Sequence, residues 1–192
     1  MVANPAMISY VPYAEFLVRE EASLTKHEWL NGVVYDMSGG TPEHAALMSA
    51  VSGELRSLLR GKRCRVYSAD LGIRVLATGL FTYPDVSIVC GSLERDPENK
   101  NAATNPRVLV EVLSDSTEDY DRGEKFAHYR RIPTLMEYVL VSQKEPCIEV
   151  YRRTNSGEWD MEKALAGQTV NLRSIECELD VNEVYVDPLA SA

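Results

Sequence analysis

The 192-residue chain is poor in cysteine and aromatics, and its basic residues are outnumbered by acidic ones. Cys64, Cys90, Cys147 and Cys177 lie far apart without a C-x-x-C pair, which argues against a zinc site. Cys64 begins one apolar run and Cys90 ends another, so both read as small buried hydrophobes rather than disulfide partners. No apolar stretch approaches the roughly 20 residues of a membrane-crossing helix, so no membrane partner is expected. The opening residues, "MVANPAMISYVPYAEF", lack a basic start followed by an apolar run, so no signal peptide is expected and the cytoplasm is the default compartment. Repeats and low-complexity segments are missing too. A net charge of −9 argues against coating nucleic acid by bulk attraction, although a local basic face suffices for an enzyme.

What is present is ordinary for a globular protein, and a single domain over residues 1–192 is expected. One segment is basic: Arg56, Arg60, Lys62, Arg63, Arg65 and Arg74 face only Glu54 and Asp70. It reads equally as a solvated helix end or a phosphate-contacting surface. A short helix is expected over 12–22, starting at Pro12. Asn31-Gly32 between two alternating runs predicts a tight hairpin. Thr41 and Pro42 are fitting first residues for a helix that ends at Gly61. Strands are expected at about 64–68, 71–77, 83–90 and 107–113, with a polar loop over 91–106. A helix then runs to Pro133, and strands follow at 137–142, 147–153 and 158–164, with a strand or short helix in 169–187. The order predicts a mixed α/β (α+β) fold, a central sheet flanked by helices with an N-terminal hairpin.

The informative stretch is "RVLVEVLSDST", residues 107–117. Its unbroken aliphatic run reads as a strand covered on both faces, yet Glu111 sits in the middle. A buried carboxylate loses several kcal/mol of hydration unless it gains a cationic partner, a raised pKa or a metal ion. The run "YPDVSIVC" carries a second acid, Asp85, near its start. If the two runs pair antiparallel through the 91–106 loop, Asp85 and Glu111 meet at one edge. Two such acids repel unless a cation or shared proton lies between them, and a hard divalent cation suits their oxygens.

The following helix places Arg122, Lys125 and Tyr129 three and four residues apart, on one face. Lys125 can serve the acids or stand in solvent, and Tyr129 can simply pack the helix on the sheet. His44, in the first turn of its helix, is a surface or capping residue or else faces the site. Glu28, beside the hairpin, is half of an exposed cross-strand pair or a carboxylate at the site edge.

Taken in order, "HEWLNGVVYDMSGGTPEH", "YPDVSIVC", "VLVEVLSDST", "DRGEKFAHYRRI" and "PTLMEYVLV" resemble the restriction-endonuclease family catalogued as domain of unknown function 820, within the PD-(D/E)XK nuclease superfamily. The resemblance spans about residues 26–142. It implies a restriction-endonuclease-like core that binds Mg²⁺ or Mn²⁺ and hydrolyses DNA phosphodiester bonds. Asp85 matches the acid of the PD element, and Glu111 matches the first acid of the second element. The two are expected to hold the metal together with the Val112 backbone carbonyl. The lysine expected two residues after Glu111 is replaced by Leu113, which assigns its role to Lys125. Glu28 and His44 become supporting residues. A homodimer, one site per DNA strand, is the attractive assembly by analogy. The alternative is an inactive module of nuclease fold that binds nucleic acid or protein. An acid–base hydrolase working without metal is disfavoured, because aromatics make up only 8% of the chain and offer few sugar-stacking surfaces.

Overall fold

A computed structural model describes residues 10–37 and 39–186. Helix α1 (Tyr13–Ala22) leads into β1 (His27–Leu30) and β2 (Val33–Asp36). Asn31 and Gly32 between them both have positive φ, at 51° and 86°, as a two-residue turn of the predicted kind requires. Helix α2 (Pro42–Leu58) follows, its Thr41 hydroxyl accepting the His44 amide at 3.2 Å. Next come β3 (Cys64–Ser68), β4 (Gly72–Arg74), β5 (Phe81–Thr82), β6 (Val86–Cys90), β7 (Ala102–Ala103) and β8 (Val108–Val112). A helical segment, Glu118–Tyr129, then crosses to β9 (Glu137–Val141), β10 (Cys147–Arg153) and β11 (Trp159–Leu165). The strands β12 (Thr169–Leu172) and β13 (Cys177–Asp180) form a separate pair before a final helical turn, Val181–Val184.

The main sheet has the order β11-β10-β9-β8-β6-β3, and β1, β2, β4, β5 and β7 form a second sheet. Within the main sheet β8 and β9 are parallel, which explains the helical crossover between them, and the other neighbours are antiparallel. One face packs on α2 through Val51, Leu55, Val86, Ile88, Val110 and Val139. The other packs through Leu109, Phe126, Tyr129, Tyr138 and Leu140. Each such side chain, fully buried, contributes about 1.5–3 kcal/mol. The two-residue period of β8 decides where the acid goes: Val110 and Val112 face α2, so Glu111 shares the opposite face with Leu109.

Two expectations need correction. The strand expected over 83–90 starts only at Val86, because Pro84 offers no amide to a ladder and interrupts the run between β5 and β6. Asp85 stands in that interruption. The cysteines at 64 and 90 are not separate hydrophobes: the antiparallel register sets Cys64 opposite Cys90, and they form a disulfide. Their separation in sequence gave no hint of that pairing.

Candidate active site

The antiparallel pairing of β6 with β8 sets Val86 opposite Val110, which brings Asp85 beside Glu111. The interruption at Pro84 leaves the Val112 amide without a strand partner, and it donates instead to Asp85 Oδ2 at 2.8 Å. The Asp85 amide in turn lies 3.4 Å from Glu111 Oε2. The two acids therefore lie side by side at one end of the β6–β8 pair, the Asp85 amide on the Glu111 carboxylate and the Asp85 carboxylate on the amide after Glu111. Glu111 is buried and accepts the Tyr129 hydroxyl at 2.8 Å through Oε1.

Lys125 reaches the same oxygen. Its Nζ is 2.9 Å from Glu111 Oε1, 3.4 Å from Asp121 Oδ1 and 3.5 Å from Glu28 Oε1. The crossover helix is not a plain α-helix: Glu118–Tyr120 is followed by a π-helical turn, Asp121–Lys125, and then by Phe126–Tyr129. Such a turn is wider than an α-turn and occurs often at functional sites. The Tyr138 hydroxyl pins it by donating to the Asp121 carbonyl at 3.1 Å. The expected shared face of Arg122, Lys125 and Tyr129 does not form. Lys125 and Tyr129 point to Glu111, whereas Arg122 is paired with Glu118 at 2.9 Å and Glu149 at 3.3 Å. Asp121 takes the place expected for Arg122.

Glu28 comes from β1 and is buried, opposite Tyr35 of β2, so it is not half of an exposed cross-strand pair. Lys26 turns away to the Ala69 carbonyl and Asp70. Glu28 accepts the Tyr120 hydroxyl at 3.1 Å and the Thr82 hydroxyl. His44, on the first turn of α2, sets Nε2 3.2 Å from Asp85 Oδ2. Its pKa is raised, chiefly by the bond to Asp85. In an extended strand the amide and carbonyl of one residue point to the same side, so the Val112 carbonyl faces the side on which its amide meets Asp85.

The charge balance is uneven. Burial, the largest effect, pushes Glu111 up to about 8; Lys125 opposes it, and Asp121 and Asp85 reinforce it. Burial alone would lower Lys125, but Glu111 and its neighbours hold it well above the usual lysine range. The two shifts pull against each other, since a charged Lys125 favours an ionised Glu111. Burial decides for Glu111, which stays raised, while the three carboxylates within 3.5 Å of the one ammonium keep Lys125 charged.

The structure thus brings Glu28, His44, Asp85, Glu111, Lys125 and Tyr129 together, with the Val112 carbonyl. It adds Asp121, Tyr120 and Thr82. The Asp121–Lys125 spacing was visible in the sequence, but the π-turn that aims both residues inward was not. Leu113 is buried in the apolar cluster with Phe126 and Leu140, so the ammonium missing from position 113 reaches Glu111 from the helix instead. Among the described residues, no group of three or more His, Cys, Asp or Glu side chains is arranged to hold a metal ion. Magnesium usually needs only one or two carboxylates and completes its shell with water and phosphate oxygens, so the all-oxygen set of Asp85, Glu111 and the Val112 carbonyl fits such an ion. The basic segment lies elsewhere. Arg56, Arg60, Arg63 and Arg65 are exposed, and Arg56 is about 18 Å along α2 from His44 by helical rise. Arg74 is buried, stacked 3.7 Å from the centre of the Tyr13 ring.

Comparison with known proteins accords with this geometry. The family described as "Uma2: Putative restriction endonuclease" matches residues 13–182. An uncharacterized protein of Synechocystis sp., slr1290, is 36% identical over 171 residues, covering 89% of each chain. A second from the same organism, sll1609, is 30% identical over 146 residues, covering 76% of this chain and 82% of its own. Among solved structures, "a putative nuclease belonging to DUF820 from Anabaena variabilis" superposes with a TM-score of 0.69 over 85% of this chain and 91% of its own, at 18% identity. That likeness shows a shared nuclease-type fold.

Proposed function

The chain belongs to the Uma2 family of restriction-endonuclease-like proteins, and from that premise we infer that it is a metal-dependent endonuclease that hydrolyses DNA phosphodiester bonds. One observation carries the reading: four acids, Glu28, Asp85, Glu111 and Asp121, converge, and among the described residues Lys125 and His44 are the cations that balance them. A surplus of buried negative charge calls for a proton or a cation, and a hard divalent ion supplies the larger charge. Asp85, Glu111 and the Val112 carbonyl would hold Mg²⁺ or Mn²⁺. Such an ion supplies Lewis acidity, drawing charge from a phosphodiester and making water a stronger nucleophile at neutral pH.

The chain's own groups do the rest. The Val112 amide and His44 fix Asp85 before any ion arrives. Tyr129 fixes Glu111. Lys125, held by Asp121 and Glu28, orients the attacking water or neutralises charge developing on the phosphate. That ammonium favours an active enzyme over an inactive module of the same fold. A homodimer with one site per strand is the assembly we assign.

The test is cleavage of supercoiled plasmid, linear duplex, single-stranded DNA and RNA with Mn²⁺ or Mg²⁺, using wild type and Asp85→Asn. Metal-dependent nicking of DNA by wild type alone supports the reading. No difference between wild type and Asp85→Asn on any substrate counts against it.

A further inference from the structure

A shallow cleft opens beyond the end of the strand that carries Glu111. It lies at the carboxyl ends of the parallel strands β8 and β9 and is lined by Thr41, Leu113, Ser114, Ser142, Gln143 and Lys144, with Asp115 and Glu118 at its acidic side. Leu113 is two residues beyond Glu111 on the same chain segment, and Thr41 caps the helix that carries His44, so the elements that line the cleft also carry site residues. One of its groups lacks a partner among the described residues, and a second is paired with an acid that is itself open to water. The Gln143 side chain makes one long contact, accepting the Thr41 hydroxyl at 3.4 Å. Its Nε2 is shielded from water yet bonds to none of the described residues. An amide held so loosely turns readily about its terminal torsion toward an acceptor.

Lys144, on the turn after β9, is 63% exposed and pairs with Asp115 at 3.1 Å and Glu118 at 2.8 Å. Asp115 itself is 88% exposed, and ion pairs so open to water exchange partners at little cost. The lining carries no aromatic ring on which a base would stack. An unpartnered amide donor, an exchangeable ammonium and serine hydroxyls suit phosphate oxygens.

We propose that this cleft binds the nucleic-acid backbone beside the scissile phosphate, with Gln143 donating to a phosphate oxygen and Lys144 leaving Asp115 to pair with it. The proposal rests on the nuclease reading for its substrate, but not on metal. Recognition of this kind is independent of sequence.

The experiment is fluorescence anisotropy of a labelled mixed-sequence duplex, and of its single strand, in EDTA between about 50 and 200 mM salt. Wild type is compared with Lys144→Ala, Gln143→Ala, Asp115→Asn and Asp85→Asn, each checked for folding by circular dichroism. Lys144→Ala is expected to weaken binding several-fold and to reduce the slope of log K against log salt by about one unit. Gln143→Ala weakens binding several-fold at unchanged slope. Asp115→Asn tightens binding, because the competing carboxylate is gone, and Asp85→Asn binds at least as well as wild type. Opposite effects at positions 115 and 144 are not what a purely structural ion pair gives. If wild type binds neither probe, or the three cleft variants bind as wild type does, the proposal is overturned. Metal-dependent cleavage by those unchanged variants would then leave the nuclease reading standing. Lys144-dependent binding without cleavage under any metal would uphold the cleft and count against the nuclease.

Discussion

Asp85 and Val112 are joined at the end of the β6–β8 ladder: the Val112 amide donates to Asp85 Oδ2 at 2.8 Å, one residue after Glu111. The strand that carries one acid therefore holds the other in place. Asparagine at position 85 keeps an oxygen for that amide and removes the charge. Asp85→Asn is therefore expected to melt within a few degrees of wild type in EDTA while metal-dependent cleavage falls by on the order of 10²-fold or more. Paired thermal melts and cleavage rates check this. A variant that unfolds would assign Asp85 a structural role instead.

Lys125 is the ammonium nearest three buried acids. Removing one partner of a buried pair leaves uncompensated charge, at a cost of about 3–5 kcal/mol. Lys125→Met should lose that much stability in urea titrations without metal, and recover part of it with Mn²⁺. A melt unchanged from wild type would mean that the acids are already neutral.

Glu111 gives stability a definite pH dependence. Its pKa is raised from 4.5 to about 8 in the fold, so the folded protein keeps a proton that the unfolded chain releases. The stability linked to that proton is fully present below pH 4.5 and is lost as pH rises through about 8. In EDTA, wild type should therefore lose stability relative to Glu111→Gln over this range, and the variant should be at least as stable at pH 9. Denaturant midpoints across pH for both proteins decide it; parallel curves would show that Glu111 is ionised throughout.

The Cys64–Cys90 disulfide closes a sequence separation of 26 residues. It lies at the end of the β3–β6 ladder opposite Asp85, since Ser68 rather than Cys64 pairs with Val86. Reduction, or Cys90→Ser, should lower stability by about 2–4 kcal/mol. Cleavage by the protein that remains folded should be unchanged. Loss of cleavage in step with reduction would tie the bond to the site.

How legible was this in the sequence? The hairpin at Asn31-Gly32 and the α2 cap at Thr41 rest on local rules, and each formed as read; the antiparallel pairing of the two acidic strands, a condition rather than a rule, is also met. What stayed hidden depends on register or on helix type. Alternation fixes which face Glu111 takes, but not that β1 lies near enough to offer Glu28. Helical spacing put Arg122 beside Lys125 and Tyr129, and a π-turn moved Asp121 there instead. Cys64 and Cys90 are adjacent only because β3 and β6 pair in one register out of several. The loop over 91–106 contributes β7 to the second sheet through Ala102 and Ala103, residues with no strand preference of their own.

The most direct measurement is calorimetric titration of Mn²⁺ and Mg²⁺ into wild type, Asp85→Asn and Glu111→Gln, repeated from pH 6 to 9. Binding should need both acids, tighten as pH climbs toward about 8 and release protons as Glu111 gives up its own. Wild-type binding that persists in both variants, or no binding at any pH with duplex DNA present, would contradict the account.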